Sequence, residues 1–228
     1  MNLANAKHLT IGGKSVVRLS MGDGVVWKGL PQGYTKLDYI QATGTQYIDT
    51  GFKPNQDSRM VCECLYYGGT GVCGARNAVS NNNFSIRIIY EKWQFGHGDK
   101  VWSTDALADT EWHTHDLNSN KYYLDGTLIG EAEYESFTCS YPIAIGAIKA
   151  GSVYYGKGLY RDFKVYDNGV LVRDMIPCKD PNGNIGMYDT VNAVFYGNAG
   201  TGEFVAGEIA DTTSELGVAV LGTMILGE

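Results

Sequence analysis

The chain reads as an all-β protein, a succession of short antiparallel strands arranged in two packed sheets. Three observations predict this. Turn dipeptides recur at Gly12-Gly13, Asp23-Gly24, Asp125-Gly126, Asn168-Gly169 and Asn182-Gly183, each between runs rich in Val, Ile, Tyr and Phe. Thirty glycines and five prolines suit many tight turns. No stretch of helical length keeps an apolar period of 3.6 residues, whereas period-two alternation is common.

The elements follow in order. Residues 1–29 contain HLTIGG and KSVVRLSMGDGVVWKG, which predict three short strands about two turns. So small a β unit is stable only when packed on a larger body, so it reads as an N-terminal attachment unit. Leu30-Pro31-Gln32-Gly33 is a short linker. Strand candidates then come steadily: KLDYIQAT, QYIDTGF, RMVCECLYY, FSIRIIY, KWQFG, EWHTHDL, KYYLDGTLIGEAEY, YPIAIGAI, LYRDFKVYDNGVLVRDMIPC, IGMYDT, AVFYG and GEFVAG. So many strands exceed one open sheet, which favours a two-layer body over residues 30–207. Residues 208–228 are a polar hinge, EIADTTSE, and an apolar tail, LGVAVLGTMILGE. The tail is glycine-interrupted and lacks a basic flank, so it predicts a strand or tail packed on protein and no membrane span.

In KYYLDGTLIG, the Asp125-Gly126 turn places Tyr123 and residues two positions away on one face, expected to point inward, with Trp112 on the preceding strand covering it. The formal net charge is −7 and no basic cluster occurs, which argues against a nucleic-acid partner. The acidic balance implies solubility. Cys62, Cys64, Cys73, Cys139 and Cys178 are odd in number and irregularly spaced, and no signal-peptide pattern opens the chain. Free buried thiols in a reducing folding compartment are expected, with Cys178 filling a small apolar gap after Pro177.

GYTKLDYIQATGTQYIDTGFKP, EWHTHDLNSNKYYLDGTLIG, PIAIGAI, GKGLYRDFKVYDNGVLVRDMIPC and GMYDTVNAVFYGNAGTGEF together resemble concanavalin A-like, laminin G-like jelly-roll modules. The similarity is to versions carried by structural and tail-associated proteins of bacteriophages and prophages, and LTIGGKSVVRLSMGDGVVWKG resembles the leader ahead of such modules. It covers roughly residues 7–207. The resemblance implies a two-sheet antiparallel β-sandwich with a small N-terminal β unit. It also implies a location on a virion, as a tail, fibre or head-decoration component forming a homo-oligomer on the particle. Other virion proteins would be contacted through the N-terminal unit or the C-terminal tail, and a bacterial surface polysaccharide would be the ligand.

Fold does not decide between enzyme and binder. Glu131, Glu133 and Glu135 alternate in EAEYE and are expected on one strand face, which resembles the E-x-D-x-E strand of retaining glycoside hydrolases of this fold. The middle position and the lead-in depart from that pattern, so a solvated strand face is the favoured reading and glycoside hydrolysis by Glu131 and Glu135 the alternative. His113 and His115 share a strand face, with His97 the one further imidazole that could complete a metal site. No cofactor is expected, although laminin G-like modules often carry calcium near a loop rim, and Asp99, Asp105 and Asp109 are the candidates for such a weak site. The remaining signal is aromatic. Tyr66, Tyr67, Trp93, Phe95, Trp102, Tyr154 and Tyr155 stand beside Gly, Asn, His and Asp in loop-like contexts, and the chain holds sixteen tyrosines. Aromatic platforms with nearby amides and carboxylates recognise sugars. The expected glycan site is therefore Tyr67, Trp93, His97, Asp99, Trp102, Tyr154 and Tyr155, in a non-enzymatic binding module. A purely architectural virion subunit is the second alternative.

Overall fold

The structure, a computed structural model, describes residues 9–11, 14–16, 18–21, 24–78 and 81–210, with side chains from residue 29 onward. Every regular element among them is a β-strand. The N-terminal segment forms two hairpins, Leu9–Ile11 with Lys14–Val16 and Arg18–Met21 with Gly24–Lys28, where the sequence predicts three strands. The Gly12-Gly13 turn, Asp23 and the tail 211–228 lie outside the described residues. No helix of the described residues is long and apolar enough to cross a membrane.

From Leu30 the strands build two layers. In the first, Thr127–Glu131, Lys121–Leu124, Trp112–Asn118, Arg59–Gly69 and the long strand Val153–Asp167 pair antiparallel in that order. Ile40–Thr43 and Val170–Lys179 share the far edge of the long strand, and Ile185–Asp189 and Val194–Tyr196 follow. In the second, Lys100–Leu107, Lys92–Gly98, Asn83–Ile89 and Gly71–Ala75 lead to Ala144–Ile145 and Ala147–Lys149. The sequence predicts two packed sheets; two layers face each other, and they also join. Val153–Asp167 begins beside Ala147–Lys149 and ends deep in the first layer, and the combined sheet closes as a barrel.

The core lies between the layers. Alternation along Arg59–Gly69 sends Met60, Cys62, Cys64 and Tyr66 inward, where they share one cluster with Phe84, Ile86, Trp93 and Phe95 of the facing layer. Rings meet across the gap, Phe95 with Tyr122 at 5.4 Å and Trp93 with His115 at 4.4 Å between centroids. Each fully buried large apolar side chain of this kind contributes about 1.5–3 kcal/mol. The five cysteines are free and buried, and Cys178 sits in a small cluster with Leu30, Ile176 and Tyr188.

Local chemistry sets the hairpins. Asn168 and Gly169 have φ of 48° and 80°, and Asp125 and Gly126 have 49° and 79°, the paired positive values of a type I′ turn. The inward face of the strand leading into the second turn differs from the expectation by one residue. Tyr122, not Tyr123, is fully buried, and Trp112 faces outward beneath the Arg161 guanidinium at 3.9 Å. The bulge between Tyr122 and Tyr123 in the pairing with Thr127–Glu131 marks this irregularity. At the far end, Ile209 bridges Leu37 and the Ala210 N–H donates to Lys36, so pairing runs past residue 207.

Candidate functional site

Two loops tied down by asparagine and aspartate side chains enclose a groove at one end of the first layer. Asp180 Oδ1 accepts the N–H groups of Asn182 and Asn184, and Oδ2 accepts Asn184 Nδ2 at 2.8 Å. The Asn184 amide is the main cause holding the Asp180 carboxyl below the usual range. The turn at Gly183, with φ of 90°, follows from these bonds. The opposite wall is residues 197–204. Asn198 Oδ1 accepts the N–H groups of Gly200 and Tyr47, and its Nδ2 donates to the Gly202 carbonyl at 2.8 Å. The Thr201 N–H donates to the Thr45 carbonyl, and Thr45 Oγ1 donates back to the Thr201 carbonyl at 2.9 Å. A Cβ at Gly200 would lie 2.1 Å from the Thr45 carbonyl, so the close approach requires glycine.

The groove encloses about 430 Å³, within the range of small-ligand sites. Ile185, Phe195, Phe204 and four glycines line it, with Asn184, Asn198 and Glu203 as its polar side chains. Phe195 rests against Gly186, where a Cβ would come within 2.8 Å of its Cζ, and against Tyr34 at 6.0 Å between ring centroids. Its position is therefore fixed from behind. Glu203 is exposed, and among the described residues its carboxylate has no partner. An aromatic edge, an amide, a free carboxylate and exposed peptide groups of glycines supply the chemistry that hydroxyl-rich ligands need.

Asn198 is the rivet of this site. Asn198→Ala is expected to remove three hydrogen bonds and cost about 1–3 kcal/mol, and to raise amide exchange at Gly200 and Tyr47 above that of the strands. Urea denaturation and hydrogen exchange would check it; unchanged protection would show that the backbone pairings hold the loop alone.

The residues expected to form a glycan site do not gather. All seven of the aromatics read as loop residues lie in strands. Trp93 and His97 are 1% and 0% exposed and face the interior, so neither offers a surface to a ligand; alternation along Lys92–Gly98 buries them. Trp102 packs its ring on the core from the edge strand. Tyr154 and Tyr155 lie five strand spacings away, about 24 Å along the sheet. Tyr67 is exposed on the first layer, its hydroxyl accepting from Gln41 and donating to the Ala42 carbonyl. Asp99 accepts the Asn82 N–H, and its own N–H donates to Glu135.

The other candidate constellations assemble no site either, although His113 and His115 stay together, with ring centroids 6.2 Å apart. The strand ends at Glu131, so Glu133 and Glu135 share no strand face with it. Glu131 lies 3.7 Å from Lys121, and Glu133 pairs with Lys100 at 2.6 Å. His113 Nδ1 is 2.6 Å from Asp125 and its Nε2 2.8 Å from Asp109, whereas His115 Nδ1 meets the Tyr122 hydroxyl at 2.7 Å. His97 stands apart beside Phe137. Asp105 pairs with Lys92. Among the described residues no group of three His, Cys, Asp or Glu side chains is placed to hold a metal. AVFYG and GEFVAG read as strands, which hides the groove in the sequence; its visible signal is the run GNAGTGEF, an asparagine two residues ahead of a glycine in a glycine-dense loop.

The fold and this groove define an all-β protein with a small, partly polar pocket. No family model matches the chain, and no curated protein sequence does. Among solved structures, 21 chains match. One is the crystal structure of a "putative carbohydrate binding protein" from Bacteroides ovatus, with a TM-score of 0.53 and 11% identity over 85% of this chain. The chain spans 66% of that structure's length. At that identity the likeness is one of fold.

Proposed function

We propose that the protein is a non-enzymatic carbohydrate-binding module that holds a sugar in the groove between residues 183–186 and 195–204. The observation that carries this is the groove, where Phe195, Asn184 and Glu203 stand together on preorganised loops. The solved neighbour described as binding carbohydrate supports the same class. In finer terms, we read the body as a concanavalin A-like, laminin G-like jelly roll and its setting as a phage virion facing bacterial surface glycans. The GTQYIDTG and DNGVLVRDMIPC blocks support that reading. Weak binding at each site would gain strength from many copies on a particle. The strand's end at Glu131, and the pairing of Glu131 with Lys121 and of Glu133 with Lys100, support a binder over a hydrolase.

The test is a glycan array with multivalent protein, followed by calorimetry on the best ligand. Glu203→Gln, on an exposed residue, should leave folding unchanged and weaken binding several-fold. Phe195→Ala should weaken it tenfold or more. Wild-type protein that binds no glycan, or binding that both variants keep, would retire the groove as the site.

A further inference from the structure

Glu203 is the one charged side chain that lines the groove, and no lining side chain is basic. Four other acids of the surface are matched. Glu63 and Asp116 lie 2.8 and 2.6 Å from arginines, and Glu131 and Glu133 lie 3.7 and 2.6 Å from lysines. Glu203 has no such neighbour among the described residues. Its backbone is held on both sides all the same. Gly202 precedes it with φ of 70°, where a Cβ would lie 3.1 Å from the Gln46 amide nitrogen, and the Gly202 carbonyl accepts Asn198 Nδ2. Phe204 follows, 3% exposed and part of the main core cluster. An exposed, unpaired carboxylate thus stands on a fixed backbone at the groove.

The other polar side chains of the groove are oriented by what they already bond. Asn184 Nδ2 donates to Asp180 Oδ2, and a carboxylate only accepts, so the amide can face it in one way and Asn184 Oδ1 is left without a donor. Asn198 is fixed in the opposite sense. Its Oδ1 accepts two backbone N–H groups, and its Nδ2 donates to Gly202. Asn184 Oδ1 and the two oxygens of Glu203 therefore remain as acceptors, against one spare hydrogen on each amide. A hydroxyl satisfies either kind of group. An ammonium, with three donors and no acceptor, satisfies the free oxygens and the charge together, whereas an anionic ligand meets repulsion with no lining cation to offset it.

We infer that the groove selects a sugar bearing a free amine, a hexosamine in its ammonium form, over the neutral, N-acetylated or uronic-acid form of the same ring. The ammonium meets Glu203 in a charge-assisted bond, Asn184 Oδ1 takes a further donor of the same ligand, and Phe195 takes the apolar side of the ring. This inference rests on the carbohydrate-binding reading above and adds to it the charge of the ligand. An ion pair open to water strengthens binding by about two- to fivefold, and salt screens it.

The full chain is titrated with glucosamine, N-acetylglucosamine, methyl glucoside, glucuronate and methylammonium, and the backbone amide NMR signals of Gly183, Gly200 and Gly202 are followed. Glucosamine is expected to shift these signals and to bind about two- to fivefold tighter than methyl glucoside. The advantage should fade as salt rises and as alkali deprotonates the amine, and Glu203→Gln should bring the ratio of the two affinities close to one. Equal affinity for the amine and the neutral sugars, or tighter binding of glucuronate, overturns the inference; if Phe195→Ala weakens that binding, the proposed function stands. Methylammonium that shifts the signals as strongly as glucosamine overturns it too, by showing that Glu203 takes any cation. Groove signals that no sugar moves overturn both readings.

Discussion

Gly156→Ala should lower folding stability by about 3 kcal/mol or more, because the added carbon has nowhere to go. A Cβ there would lie 2.0 Å from the Gly71 carbonyl oxygen and 3.3 Å from the Tyr160 hydroxyl. Gly69 and Gly71 meet the same obstruction from the other side, at 2.6 Å from the Tyr155 carbonyl and 2.3 Å from that of Tyr154. These glycines stand where Val153–Asp167 passes from one layer to the other, with Gly156 paired to Gly69 and its N–H donating to Gly146. The obstructing atoms are backbone, so relief requires separating the strands that close the barrel. Gly169→Ala is the control. Its surroundings are empty, and only its φ of 80° opposes a side chain, which costs about 1–2 kcal/mol. Urea denaturation of the two variants should therefore rank Gly156→Ala as clearly the worse; the reverse order would mean that the crossing is slack.

What could be read in advance follows from how far apart in sequence the deciding partners lie. Asn168-Gly169 and Asp125-Gly126 announce their turns because two adjacent residues suffice to fix them. The core face of Arg59–Gly69 is legible for the same reason, since alternation carries Met60, Cys62, Cys64 and Tyr66 inward. YEKWQFGHGDKVW is different. Its glycines and charges fit a ligand loop as well as a strand, and what buries Trp93 and His97 is the packing of distant side chains over them, His115 on Trp93 and Phe137 on His97. EAEYE fails as an alternating face because the strand stops after Glu131, an ending set by tertiary packing of Ala132 and Phe137. The groove is the least local feature of all. Asn198 and Tyr47 are 151 residues apart, and Thr45 and Thr201 are 156 apart. Nothing within GNAGTGEF says which distant backbone will hold it.

Acid should destabilise the protein well before its carboxylates titrate, and His115 is the reason. The ring is fully buried among Tyr122, Trp93 and His113, and burial first, then the His113 charge, lowers its pKa to about 3. The unfolded chain binds this proton near pH 6.5 and the folded chain does not until about 3. Stability from the neutral ring is thus complete above 6.5 and falls on acidification by about 1.4 kcal/mol per pH unit. Burial lowers His97 in the same direction. His113 opposes them. Burial works against its charged form, but Asp125 and Asp109 outweigh that and raise its pKa, so its contribution is complete below 6.5 and fades as pH rises through the folded value. The two histidines of one strand therefore place the stability maximum near pH 6.5. His115→Gln keeps an acceptor for the Tyr122 hydroxyl and removes the titration, so urea melts from pH 7.5 to 4 should show a much shallower decline in the variant. A wild-type curve flat between 6.5 and 4.5 would mean that water reaches the imidazole and that the layers part more easily than their packing implies.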